Sequence, residues 1–330
     1  MTDASGGWAP RPPDGPDRRT TRMTAPAPAK TRTRKTIPGT GGRTASVFLI
    51  PFFALFALTM IAPVIYAIGM SLFAEKRSGL GFGGATTEFV GLGNYFEVLS
   101  DRTFTDGFGR LALYCLLYVP SLLIVALVLA LLLDATVAYA KRTFQLLLFL
   151  PHAVPGVIAA LIWAYLYTPG VSPIVKALES GGIAIDFLSV QLVLPSMVNI
   201  AVWEWAGYNV IILFTALQAV PREILEAAKV DGAGEIRTAF SIKTPLVWPA
   251  IGVALLFTVI GSLQLFTEPK ILSSATTAVT STWVPNMWAY DAAFNRNNLP
   301  QAAAASIILA LLAGLLSWVV TRFTSKEPTR

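Results

Sequence analysis

Asp, Glu, Lys and Arg are missing from five long runs of this chain, at 44–74, 111–133, 143–175, 244–267 and 297–321. A sixth run, 187–221, is interrupted only by Glu204. A hydrocarbon core of about 30 Å is crossed by roughly 20 apolar residues in a helix. A helix also satisfies its own backbone hydrogen bonds, where lipid offers no partner. Each run meets that length. The charge map therefore predicts an all-α integral membrane protein with six transmembrane helices, near 46–73, 110–133, 144–167, 190–216, 246–267 and 302–322. Composition follows from this: 13% of the residues are charged, against about 25% in an ordinary soluble domain.

The same map gives an orientation. With the amino terminus inside, Lys and Arg number 18 on the inner side and 7 on the outer side. The inner 18 lie in the tail to Arg43, at Lys141–Arg142, in the loop 222–243 and from Arg322 onward. The positive-inside rule favours this arrangement, with both termini cytoplasmic. The net charge of +6 is thus read as a membrane orientation and not as a nucleic-acid surface. Residues 1–45 form a basic tail rich in Pro, Gly, Thr and Arg. That composition buries too little surface to order itself, so disorder is expected, with attraction to anionic lipid as a further reading.

Several chemistries are disfavoured. The single cysteine, Cys115, supplies no disulfide framework or cysteine metal site. The single histidine, His152, stands between prolines in LPHAVPG and is expected to pack locally or at the interface. Gly-Thr-Gly-Gly-Arg-Thr at 39–44 lacks the spacing of a phosphate-binding loop. Any ATP chemistry must therefore belong to another subunit. No acid–base pair stands out, so the chain is not expected to be an enzyme.

Between the fourth and fifth runs lies EILEAAKVDGAGE, residues 223–235, polar and helical in pattern. Pro221 suits a helix start, and Glu223 and Glu226 favour the positive end of the helix dipole. Gly232 and Gly234 can take the left-handed conformations that end a helix. A second short helix is predicted from Glu235 to Lys243, before Pro245 and Pro249. Ala227 and Ala228 leave a smooth surface for close approach. A pair this short is marginal in water without something to pack on. A solvated helix hairpin that merely joins the fourth and fifth spans is the alternative reading.

EAAKVDGAGEIRTAFSIKTPLVWP resembles the EAA signature of permease subunits of ABC importers, the binding-protein-dependent transport family. Glu226, Ala227, Ala228, Asp231, Gly232, Ala233, Ile242, Pro245 and Pro249 fall on the signature. Ala239 and Thr244 depart from it, at positions where Phe and Leu are usual. FLPHAVPGVIAALIWAYLYTPG, FVGLGNYFEVLS and GSLQLFTEPKIL resemble the sugar-permease branch, of the maltose and glycerol-phosphate type. The resemblance implies a transmembrane domain over 46–325, with coupling helices at 221–244 that dock on a cytoplasmic ATPase. It also implies two ATPase subunits binding ATP and Mg, a second and different permease subunit, an extracytoplasmic binding protein and a bacterial inner membrane.

The substrate path is read from isolated polar residues. Glu204 lies mid-span, and a lipid-facing acid there costs about 2.5–3.5 kcal/mol on insertion scales, so it should face protein or water. Ala201, Glu204, Trp205, Gly207 and Tyr208 share one broad face, with Asn199 and Asn209 pointing away. Glu204, Trp205, Tyr208 and Gln264 are candidate path residues. For Glu204, burial against a partner permease is the competing reading. Gln264 and Glu268, near the outer end of the fifth span, raise the same question, with a pair between Glu268 and Lys270 in the outer loop as the alternative for Glu268. Trp163, Trp283 and Trp288 are expected to anchor at the interface. A cation-coupled secondary transporter, an importer permease for a non-sugar solute, a membrane enzyme and a scaffold stand as alternatives.

Overall fold

The computed structural model describes residues 41–77, 85–135 and 139–324. It divides into two units, Met1–Ala54 and Leu55–Arg330. Of the basic tail expected over 1–45, all but the last few residues lie outside the described residues. Helix begins at Gly41, slightly ahead of the boundary expected there.

Five helices are long and apolar enough to cross a membrane: Ser46–Ser71, Arg102–Asp134, Val193–Gln218, Trp248–Leu272 and Leu299–Arg322. These are the first, second, fourth, fifth and sixth spans. The third span is a pair, Lys141–Ala153 and Gly156–Tyr167, bent by 93°. One helix is expected near 144–167, and the prolines explain the break. Neither Pro151 nor Pro155 can donate a backbone hydrogen bond, and the residue before a proline is pushed out of the helical region. Leu150–Ala153 accordingly tightens to a 3-10 turn, and Val154 is extended (φ −80°, ψ 131°). Two further prolines act more gently. Pro63 and Pro245 each follow a π-helical stretch, Ala57–Ile61 and Thr238–Lys243, which widens the helix where a donor is lost.

The second span is longer than its charge-free run. It starts at Arg102 because Asp101 caps it, accepting from the Thr103 N–H at 2.7 Å. Asp101 also accepts from the Trp288 indole at 2.9 Å, which ties this helix start to the segment before the sixth span. Burial alone would raise the Asp101 pKa. The hydrogen bonds from Trp288 and Thr103 outweigh it and hold the carboxyl below its ordinary 3.8.

The core lies between the second and fourth spans. Leu111, Tyr114, Tyr118 and Leu122 pack against Met197, Ile200 and Ala201. Further along the pair, Ala126 and Ala130 meet Val210, Leu213 and Leu217, with Val247 and Ile251 closing the layer. Small residues at these contacts let helices approach closely in a membrane. The sixth span packs along Ala62–Ser71 and against Trp248–Ser262. The fifth span is interrupted between Ser262 and Thr267, and the Asn286 amide donates to the carbonyls of Leu263 and Leu265 there.

Outside the spans the fold carries elements that the charge map did not predict. Phe73–Arg77 and Ala85–Phe89 form an antiparallel hairpin with Phe73 opposite Phe89. Buried Asn94 donates to the Ser71 and Phe73 carbonyls at 2.7 Å each, pinning the hairpin to the end of the first span. Trp283 and Trp288 are 6% and 2% exposed, so they fill the protein's own core and do not anchor at an interface. Trp163 is half-buried and packs on Tyr167 and Trp203.

Candidate functional site

The bend in the third span is seated on the fourth span at Gly207. A Cβ there would fall 1.8 Å from the Leu148 carbonyl oxygen and 2.9 Å from the Phe149 Cα. Backbone meets backbone, and only glycine leaves the room. Within the same turn as Gly207, Trp205 and Tyr208 meet the His152 ring, whose centroid lies 4.7 Å from that of Trp205 and 5.1 Å from that of Tyr208. His152 therefore packs locally, with its Nδ1 buried and unpartnered. Gly156, where the helix resumes, sits against Glu204: an added Cβ would lie 3.1 Å from its Oε1.

Beside this contact lies a cavity of about 420 Å³ lined by residues of the second, third, fourth and fifth spans. Tyr114 and Tyr118 line one side as a stacked pair, 5.2 Å apart. Glu204, Trp205, Tyr208 and Asn209 come from the fourth span, and Gln264, Phe266 and Glu268 from the interrupted end of the fifth. The four candidate path residues, Glu204, Trp205, Tyr208 and Gln264, thus share one space. One expectation is corrected. Asn209 was expected to point away but lines the cavity, while donating to the Trp205 carbonyl at 3.0 Å. Asn199 does point elsewhere, donating to the Tyr167 hydroxyl at 2.7 Å. Glu268 lines the cavity and makes no ion pair with Lys270 among the described residues; the Lys270 ammonium lies over the Tyr290 ring instead. Carboxylates, hydroxyls, an amide and ring faces around one volume can hold a hydroxyl-bearing solute. Among the described residues, no cluster of His, Cys, Asp and Glu could hold a metal ion.

The second candidate site lies between the fourth and fifth spans. A first helix, Arg222–Val230, ends in a paired closure: Ala233 N–H donates to the Ala228 carbonyl at 2.9 Å, and Gly232 N–H to that of Lys229 at 3.0 Å. Gly232 takes φ +76°, as this closure requires of its left-handed residue. Gly234 does not share that role. It is extended (φ −69°, ψ 166°) and precedes the second helix. Glu235 to Leu246 then runs as α-helix, π-helix and α-helix in succession. The two departures from the signature meet here, since the Thr244 hydroxyl donates to the Ala239 carbonyl at 2.9 Å.

Glu226, Ala227, Asp231 and Gly232 are exposed, Ala233 and Ile242 are half-buried, and Pro245 is exposed. Ala228, expected at the outer surface, is 6% exposed and faces its own chain. The large apolar side chains left in the open are Ile224, Val230, Ile236, Phe240 and Leu246. Sequence reasoning missed the fastening of this element. Lys243 forms an ion pair with Asp134, the last residue of the second span. Asp134 also accepts from the Gln218 amide at 2.6 Å, at the end of the fourth span, and its carbonyl accepts from Lys141 at 3.4 Å. The only available signal was the position of Asp134 at the edge of a charge-free run.

A third span broken at its prolines and an interrupted fifth span beside a shared cavity, with a helical pair fastened to the ends of the second and fourth spans, are the architecture of a membrane permease. Residues 89–326 match the family described as the binding-protein-dependent transport system inner membrane component, and the chain belongs to that family. It is 30% identical over 287 residues to the sn-glycerol-3-phosphate transport system permease protein UgpA of Yersinia pestis, covering 85% of this chain and 94% of that one. The protein of the same name from Salmonella typhi is 31% identical over 286 residues, covering 83% and 94%. Among solved structures, the fold matches a bacterial ABC transporter involved in the import of the acidic polysaccharide alginate. That match has a TM-score of 0.74 at 20% identity, over 87% of this chain and 96% of that one. The alginate transporter in complex with an alginate pentasaccharide-bound periplasmic protein matches with a TM-score of 0.72 at 19% identity, over 86% and 94%.

Proposed function

We propose that this chain is the permease subunit of an ATP-driven importer and forms the path for a carbohydrate or polyol handed over by an extracytoplasmic binding protein. In this reading 46–325 is the transmembrane domain, 221–244 the coupling element and 1–45 a basic cytoplasmic tail. Both termini face the cytoplasm, as the Lys and Arg distribution favours. ATP and Mg are bound by two ATPase subunits and not by this chain. A second permease completes the path.

The observation that carries the proposal is the fastening of the helical pair. A lever transmits force only if it is stiff and attached. Gly232 closes the first helix sharply, the exposed Glu226, Ala227 and Ile224 face outward, and Lys243 binds the pair to Asp134 and so to the ends of two spans. Movement of an ATPase beneath the pair is thereby delivered to the second and fourth spans, whose Tyr114, Tyr118, Glu204 and Trp205 wall the cavity. Uptake into vesicles holding the reconstituted complex tests the reading. Accumulation should require enclosed ATP and survive collapse of ion gradients. Accumulation driven by an ion gradient without ATP would favour a secondary transporter and refute it.

A further inference from the structure

None of the residues lining the cavity is Lys, Arg or His. Two carboxylates face the same space instead, Glu204 from the fourth span and Glu268 from the fifth. Among the described residues, neither carboxylate is hydrogen-bonded to another residue, and neither are the Gln264 amide or the hydroxyls of Tyr114, Tyr118 and Tyr208. These atoms are also reachable, because the closed-off unpartnered polar atoms among the described residues are His152 Nδ1 and Trp163 Nε1. Trp205 and Phe266 add ring surface.

Resting on the importer reading, we propose that this cavity selects an uncharged, polyhydroxylated solute, a neutral sugar or polyol, and disfavours anionic ones. Each hydroxyl of such a solute can donate to Glu204, Glu268 or the Gln264 carbonyl. It can also accept from a tyrosine hydroxyl or the Gln264 amide, while C–H faces pack on Trp205 and Phe266. An ionised phosphate or carboxylate brings acceptors to a wall already rich in them. It also meets two carboxyl groups with no cation among the lining residues to offset its charge. The solutes in the names of the relatives, a sugar-alcohol phosphate and an acidic polysaccharide, are anions, and the lining here offers no cation to pair with them.

The test measures Trp205-dependent fluorescence of the purified complex, taken as the difference between the native protein and Trp205→Phe. The probes are glycerol and maltotriose on one side, and sn-glycerol-3-phosphate and a uronic acid trimer on the other. The neutral probes should give a saturable signal at concentrations roughly tenfold or more below their anionic counterparts. Glu204→Gln combined with Glu268→Gln should narrow that gap. The proposal is overturned if an anionic probe binds as tightly as its neutral counterpart, if the gap is unchanged in the double variant, or if neither neutral probe gives a Trp205-dependent signal. The importer reading fails separately. ATP-driven uptake of an anion would sink the selectivity and leave the importer standing, whereas uptake indifferent to ATP would sink the importer and leave the measured preference intact.

Discussion

Gly207→Ala isolates the contact that seats the bend of the third span on the fourth. One methyl group is added, and its carbon would sit 1.8 Å from the Leu148 oxygen, 2.4 Å from the Leu148 carbonyl carbon and 2.9 Å from the Phe149 Cα. Real Cβ contacts below 3.0 Å essentially do not occur, so the two backbones must separate by at least about 1.2 Å. No flexible side chain is available to absorb the movement. Overpacking of this kind costs typically 1–3 kcal/mol, and a backbone-on-backbone clash belongs at or above the upper end. The separation also lifts the 150–155 break off the fourth span, loosening the His152 contacts to Trp205 and Tyr208. Gly109→Ala is the control, because a Cβ there meets nothing within 4 Å and alanine favours helix by up to about 1 kcal/mol over glycine. Thermal unfolding in detergent should place Gly207→Ala roughly 5–10 °C below the native protein, with uptake impaired, and Gly109→Ala at or above it. Coincident melting of Gly207→Ala and the native protein would refute the reasoning.

Lys243→Ala removes one side of the pair with Asp134, whose side chains are only 12% and 10% exposed. Breaking a buried pair costs about 3–5 kcal/mol, reduced here because Gln218 still donates to Asp134. Transport should fall far more than ATP hydrolysis in the assembled complex, as phosphate release and uptake measured together would show. Gly232→Pro cannot adopt φ +76°. It should insert normally, judged by membrane yield, but uncouple hydrolysis from uptake. Asp101→Asn removes a carboxylate whose pKa is lowered in the fold. A lowered pKa adds stability above the unfolded value and loses it as pH falls through the folded one. The melting difference between native and Asp101→Asn proteins should therefore be present near neutrality and vanish once the pH falls well below 3.8.

The spans were legible because lipid demands long charge-free helices, and no local interaction overrides that demand. That Glu204 and Gln264 face protein or a cavity was legible for the same reason, since polar groups are costly in lipid. The break at residues 150–155 was written in Pro151 and Pro155, yet hydropathy alone does not register a bend. Gly207 looked like one small residue among several, because its importance lies in how near Leu148 comes. Asn209 was misplaced by treating the fourth span as having one polar face, whereas the cavity takes in a wider arc of that helix. Asp134 and Trp288 act through partners far along the chain, Lys243 and Asp101, and no local pattern announces such pairs. Thr244 was read only as a departure from a signature, although its hydroxyl caps the Ala239 carbonyl.

The central claim is that the pair of helices at 222–246 is gripped by a nucleotide-driven partner. A single cysteine at the exposed Ala227, placed in a Cys115→Ser background, gives the most direct measurement. The account predicts that, in the assembled complex, Ala227→Cys forms a disulfide with an engineered cysteine in the ATPase cleft. That bond should arrest ATP-driven uptake, and reduction should restore it. Failure to cross-link at any ATPase position, or uptake undiminished with the disulfide closed, would contradict it.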